Sequence, residues 1–233
     1  MQHFQIAIDG PSGSGKSTLA RSVAERLGIL YLDTGAMYRA CGLYAIENNI
    51  STKDEMAISK LMDNINIEIV FENGTQKVFL NKNDVTDKIR LPGVSQAASD
   101  VSCFKIVREK MVDLQRRIAG TKNVVLDGRD IGSFVLPDAD YKFFLTADIN
   151  ERAKRRLEEM QSKGVHDMTI EEVLADLKYR DEQDSGRAFA PLKKTHDAIE
   201  IDTTPNTPQQ TLLALLRYLP ESIFTNKKDE DYL

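Results

Sequence analysis

The spacing of apolar residues along this chain switches between two periods, and each switch marks an element. Phe4, Ile6 and Ile8 occupy every second position of "FQIAI" and predict a short buried strand. Leu19, Val23 and Leu27 recur every four residues through "STLARSVAERLG", the spacing of one helix face, and Gly28 supplies the stop. A strand over "GILYL" and a helix with Met37, Cys41, Leu43, Tyr44 and Ile46 on its apolar face follow, then a second helix over "TKDEMAISKLMDN". At "NINIEIVF" the period drops to two, with Ile65, Ile67, Ile69 and Phe71 apolar, and "TQKVFL" follows an Asn73-Gly74 turn. This antiparallel ribbon between helices reads as an insertion. The helical period returns with Phe104, Val107, Met111, Leu114 and Ile118. "NVVLDGRD", "DYKFFLTA" and "AIEIDTT" read as buried strands, separated by the charged helices "INERAKRRLEEMQSKG" and "TIEEVLADLKYRDEQDSGR". "TPQQTLLALLRYL" closes the chain as an amphipathic helix, with "NKKDEDYL" as a frayed tail. Strands alternating with helices predict an α/β fold, a parallel sheet with helices on both faces.

Composition narrows the class. The chain has 233 residues, 41% of them hydrophobic and 29% charged, which suits a soluble globular protein of one large or two small domains. No apolar run approaches the ~20 residues a membrane span needs. The N-terminus lacks the basic and apolar regions of a signal peptide, so a cytoplasmic location is expected. Cys41 and Cys103 make no disulfide framework, and with His3, His166 and His196 they give no metal-ligand spacing. A formal charge of −5 argues against a broad nucleic-acid surface. It does not exclude a small anionic ligand, which needs only a local cluster of arginines.

The first candidate chemistry is "IDGPSGSGKSTLA". Gly10, Gly15, Lys16 and Ser17 fit G-x-x-x-x-G-K-[ST], and the segment lies between a predicted strand and a predicted helix, the context this motif requires. Chance gives such a match in roughly one chain in a hundred of this length and average composition. Glycines at 10, 13 and 15 let successive backbone N–H groups turn inward, and the helix that begins near Lys16 adds its unpaired donors and positive dipole end. Lys16 would reach the β- and γ-phosphates of a nucleoside triphosphate, and Ser17 would offer its hydroxyl to Mg²⁺.

Other charged motifs carry two readings each. Arg39 in "LDTGAMYR" is either an anion clamp at a strand's carboxyl end or a surface arginine behind a helix cap at Asp33 or Thr34. Asp127 in "VVLDGRDIG" sits where an acid commonly holds Mg²⁺ through water, and Arg129 and Asp130 share its edge; the bland alternative is a polar turn. Arg152, Arg155 and Arg156 share one helix face, either as a solvated face balanced by Glu158 and Glu159 or as a cation-rich lid. Arg180, Asp184 and Arg187 also share a side, as an ion-pair series or as ligands. "NKND" at 81–84 matches a guanine-reading pattern, but it precedes "VVLDGRD", the wrong order for a GTPase, and reads as a polar turn.

Taken together, "DGPSGSGKST", "LDTGAMYR", "DGRDIG" and "RDEQDSGRAFAPL" resemble the bacterial cytidylate kinases, a branch of the nucleoside monophosphate kinases, over nearly the whole chain. The resemblance implies a P-loop NTPase fold in one domain over 1–233, with a five-stranded parallel sheet. It also implies a monophosphate-binding lobe at 35–103 carrying the β-rich insertion, and a lid at 150–167. The implied activity is transfer of the γ-phosphoryl group of ATP to CMP or dCMP with Mg²⁺, by a monomer with neither nucleic-acid nor membrane partners. Gly10, Pro11, Ser12, Gly13, Ser14, Gly15, Lys16, Ser17 and Thr18 would hold ATP. Thr34 and Arg39 would face the acceptor nucleotide, Thr34 keeping a hydroxyl where the family often has serine. Ser99, Arg108 and Asp130 would read cytosine, with Ser95 and Ser102 close to Ser99 in sequence. Arg129 and Arg187 would clamp anions, Arg180 and Asp184 would contact ribose, and Arg155 and Arg156 would belong to the lid. Lys16, Arg129, Arg155, Arg156 and Asp127 would serve the chemical step. Kinases of adenylate, uridylate or shikimate are the nearest alternatives, and a nucleotide-driven switch is the alternative from another class.

Overall fold

The computed structural model describes residues 3–72, 75–91, 93–162 and 164–224; the expected Asn73-Gly74 turn and the tail from Asn226 lie outside them. The chain opens with β1 (Gln5–Asp9), a glycine-rich loop, α1 (Lys16–Leu27), β2 (Leu30–Asp33) and α2 (Thr34–Glu47). Next come α3 (Glu55–Asp63), the short strands β3 (Ile67–Glu72), β4 (Thr75–Leu80) and β5 (Asn83–Asp84), and the helices α4 (Val94–Val101) and α5 (Lys105–Ala119). The chain then returns through β6 (Val124–Gly128), β7 (Tyr141–Thr146), α6 (Ile149–Ser162), α7 (Ile170–Gly186), β8 (Ile199–Asp202) and α8 (Pro208–Leu216).

Five strands form one parallel sheet in the order β2-β6-β1-β7-β8, while β3, β4 and β5 form a separate antiparallel ribbon. The central strands are apolar on both faces because both faces are covered. Ala7, Val124 and Leu126 pack with α2 and α5 on one side, and Ile6, Ile8 and Val125 pack against Leu19, Val23 and Leu27 of α1 on the other. The first of these cores continues without a break into Ile67, Val78 and Leu80 of the ribbon. Register matters most at the carboxyl edge. Asp127 is level with Ile8 on one neighbour and Asp33 on the other, and Asp9 is level with Gly128, so three carboxylates end their strands together.

Two expectations change. Ile46 is exposed, because α2 is covered on two sides and buries Ala36, Met37, Ala40, Cys41, Gly42, Leu43 and Ala45 instead of a single stripe. The second covering is α4, which approaches so closely that a Cβ on Gly42 would lie 2.8 Å from the amide nitrogen of Ala98. In the ribbon, Ile65 is buried but precedes β3, and Ile69 and Phe71 are half-buried. "NKND" is half turn and half strand: Asn81 and Lys82 turn in the left-handed region at φ 48° and 71°, and Asn83 and Asp84 form β5.

Candidate active site

The glycine-rich loop leaves β1 and enters α1 with Gly10, Gly13 and Gly15 at φ 148°, 77° and 89°, conformations that side-chain-bearing residues rarely adopt. At Gly10 there is also no room, since a Cβ would lie 2.3 Å from the carbonyl oxygen of Leu145. Lys16 is buried, and its Nζ donates to the carbonyl of Pro11 at 2.6 Å and to Ser14 Oγ at 3.4 Å. Burial, then the nearby Arg129, lowers its pKa to about 7. A buried ammonium held by one carbonyl and one hydroxyl, in a loop without a carboxylate, is poised for an anion.

Ser17 Oγ donates to Asp127 Oδ2 at 2.6 Å, Tyr31 Oη donates to Asp127 Oδ1 at 3.0 Å, and Thr34 Oγ1 donates to the Asp127 carbonyl at 2.6 Å. Burial and the charge of Asp33 push the Asp127 carboxyl upward. A hydroxyl and a carboxylate side by side, both hard oxygen donors beside a phosphate loop, fit Mg²⁺, which takes few protein ligands and shares phosphate oxygens. Among the described residues no larger cluster of metal-binding side chains occurs.

The other end of the same cleft is assembled from distant segments. Arg108 of α5 is fully buried, pairs with Asp130, donates to the Ser102 carbonyl at 3.3 Å, and lies 5.4 Å from the centre of the Tyr38 ring. Arg187 approaches Asp130 at 3.4 Å and Asp184 at 3.6 Å, and Arg129 Nε donates to Asp184 at 2.6 Å. Burial alone would raise the Asp184 carboxyl; Arg129, Arg187 and Arg180 outweigh it and hold the group below its ordinary value. Arg180 reaches Ser12 of the loop at 3.3 Å. Arg39 pairs with Asp33 at 2.8 Å, and Asp33 also caps α2 by accepting from Ala36 N, so the helix cap expected in "LDTGAMYR" is present.

The arginines of α6 divide. Arg152 is buried and ties three segments, donating to the carbonyls of Ser12 and Ala147 and to Asp181 Oδ2. Arg155 donates to Thr203 Oγ1 and to the carbonyls of Thr203 and Thr204, while Arg156 pairs with Glu159. Both Arg155 and Arg156 line the cleft.

The cleft encloses about 1380 Å³, and ten cationic side chains and six carboxylates line it among the described residues. The field there is cationic although the chain carries −5. Of the residues expected from sequence, Ser12 through Thr18, Thr34, Arg39, Ser99, Arg108, Asp127, Arg129, Asp130, Arg155, Arg156, Arg180, Asp184 and Arg187 all line it; Gly10 and Pro11 do not, though the Pro11 carbonyl holds Lys16 Nζ. Sequence reasoning missed Asp9, Tyr31 and Gln76, and it placed Arg152 on a charged helix face without its tie to the phosphate loop. Asp9 accepts from the amides of Ile131 and Gly132, both at 2.8 Å, which fixes the turn that presents Arg129 and Asp130. Gln76 reaches across from β4 to bond both the N–H and the carbonyl of Asp33. Only Asp9 had a local signal, as the acid just before the loop.

A phosphate loop at the carboxyl edge of this sheet, opening on a cleft crowded with arginines, defines a P-loop phosphotransferase fold. The model of the cytidylate kinase family matches residues 6–221, and the chain belongs to that family. It is 48% identical to the cytidylate kinase of Halalkalibacterium halodurans, over 96% of this chain and all of that one. It is 50% identical to the cytidylate kinase of Lactobacillus johnsonii, over 86% of this chain and 87% of that one. A crystal structure of an uncharacterized protein from Eubacterium ventriosum shares the fold, with a TM-score of 0.51 and 14% identity over 93% of this chain and 98% of that one.

Proposed function

We propose that this chain transfers the γ-phosphoryl group of ATP to CMP or dCMP, giving ADP and CDP or dCDP. The observation that carries the reading is convergence: Arg39, Arg108, Asp130, Arg180, Asp184 and Arg187 come from four separate segments and meet in one cleft with Lys16. The acceptor's phosphate has a second pKa of ~6 and is mostly a dianion at neutral pH. One of its oxygens attacks the γ-phosphorus while the bond to the bridging oxygen of the departing ADP breaks. No side chain has to remove a proton, which suits a cleft without histidine.

The chain's work is therefore to bring two anions together and to spread the charge of the transition state. Backbone amides of the loop and Lys16 hold the donor phosphates. Arg39, Arg129 and Arg187 hold the acceptor phosphate and the group in flight. Ser17 and Asp127 would hold Mg²⁺, which would supply neutralisation of the phosphate oxygens. Arg180 and Asp184 take the ribose, and Ser99, Arg108 and Asp130 the base. Cytosine presents an amino donor at N4, which a carboxylate accepts, and acceptors at N3 and O2, which suit a guanidinium. Residues 35–103 act as the acceptor lobe. Residues 150–167 act as a lid whose arginines close over the phosphates and exclude water. The enzyme works as a cytoplasmic monomer without nucleic-acid partners; no described helix is long and apolar enough to cross a membrane.

The test is ATP consumption with CMP, dCMP, UMP and AMP offered singly, with and without EDTA. Fast turnover confined to CMP and dCMP, and abolished by EDTA, is expected. Turnover independent of any acceptor would mark a nucleotide switch and overturn the reading.

A further inference from the structure

Eight buried side-chain polar atoms lack a hydrogen-bond partner among the described residues, and six of them belong to residues that line the cleft. Three are nitrogens of Arg39, Arg108 and Arg187, which the proposed reaction already uses. Another is the Tyr38 hydroxyl, whose ring lies against Arg108. The last two are both ends of one amide, Nε2 and Oε1 of Gln115.

Gln115 has no exposed surface. It stands seven residues beyond Arg108 on α5, two turns along the same helix face and about 10 Å further along the axis, and both side chains line the cleft. Its neighbours on that face, Met111 and Val112, are buried and apolar. Packing alone would favour methionine here, which fills the same length without an amide to desolvate. A buried amide with neither end satisfied is costly to the fold, and it is the kind of group that a polar ligand repays on binding.

We propose that Gln115 is a further base-recognition residue, working at the base end of the acceptor site with Arg108 and Asp130. This rests on the reading of the acceptor as a cytidine monophosphate. The exocyclic amino group of cytosine carries two hydrogens. Asp130, already shared between Arg108 and Arg187, accepts one, and Gln115 Oε1 accepts the other.

The test uses Gln115→Met and Gln115→Leu, with steady-state kinetics for both substrates and thermal melts. Losing one hydrogen bond to the base should raise KM for CMP about tenfold with kcat within about twofold, and leave KM for ATP unchanged. Tm should hold or rise, because an unpaired buried amide has been removed. An unchanged KM for CMP, an equal rise in KM for ATP, or loss of the fold in both variants would overturn the proposal, because each assigns Gln115 to structure rather than to the base. If the wild type itself shows no turnover dependent on CMP, the acceptor assignment fails first, and that outcome is read before any variant is made.

Discussion

At the donor end of the cleft the phosphate site is built from backbone. Three glycines turn the loop, α1 begins at Lys16, and one lysine supplies the charge. At the proposed acceptor end the site is built from side chains, with Arg108, Asp130, Asp184 and Arg187 buried and the half-buried Arg129 paired with them. The backbone site binds any phosphate chain, since N–H groups carry no information about what the phosphate is attached to. The side-chain site costs desolvation of every charge in it, and such pairs add little net stability. What they supply is a fixed pattern of donors and acceptors, the requirement for reading a base.

The largest effect should come from breaking the donor side. Lys16→Ala removes the buried cation that the phosphate loop itself carries and should lower kcat by ~10²–10³ with the fold intact. A folded variant with near-normal turnover would contradict the role. On the acceptor side the same kind of truncation should damage the fold. Asp130→Ala strands Arg108, which is 1% exposed, and should cost about 3–5 kcal/mol of stability in urea unfolding. Equal stability of Asp130→Ala and wild type would mean that the acceptor network is not the buried pair described.

The same contrast explains what could be read from the chain alone. The donor loop is contiguous, so nine adjacent residues disclosed its shape and chemistry. The strands β1, β6 and β7 were legible for a similar reason, as short apolar runs. The acceptor site was legible only through four motifs that resemble a family, because nothing local joins Arg108 on α5 to Asp130 after β6. Gln76 carried no signal at all, and Arg152 was visible only as one of several cations on a charged helix face, since both acquire their partners through tertiary packing. Ile46 was misplaced because a single apolar stripe was assumed for α2, a helix covered on two sides.

A smaller effect separates anchoring from charge in α6, the proposed lid. Arg156→Ala, which removes a cation paired only locally with Glu159, should lower kcat about tenfold and leave CMP binding within about twofold. Arg155→Ala should do the same and also lower Tm, because Arg155 holds the loop at Thr203 and Thr204. If neither changes kcat, this helix is a solvated face and not a lid.

The smallest expected effect is in pH. Lys16 in the ligand-free enzyme titrates at about 7, lowered by burial and by Arg129, while triphosphate favours its charged form. ATP binding above that pH must therefore take up a proton. Affinity should fall as pH rises from 7 to 9, by at most about tenfold per unit. Calorimetry in two buffers of different ionisation enthalpy reads the uptake directly, and Lys16→Met should abolish it. An affinity flat across that range would place the Lys16 pKa near its ordinary value.

The central claim, that the buried side-chain network selects the base, is tested most directly by the ratio of kcat/KM for CMP to that for UMP in wild type and Asp130→Asn. An amide can donate to the O4 of uracil, where a carboxylate would face it oxygen to oxygen. Each mismatch is worth about 1–3 kcal/mol, so the wild type should prefer CMP by ~10²–10⁴. Asp130→Asn should turn over CMP more slowly and narrow that preference at least about tenfold. A variant that keeps the wild-type ratio while losing activity toward both acceptors equally would contradict the claim and leave Asp130 as no more than a partner for Arg108.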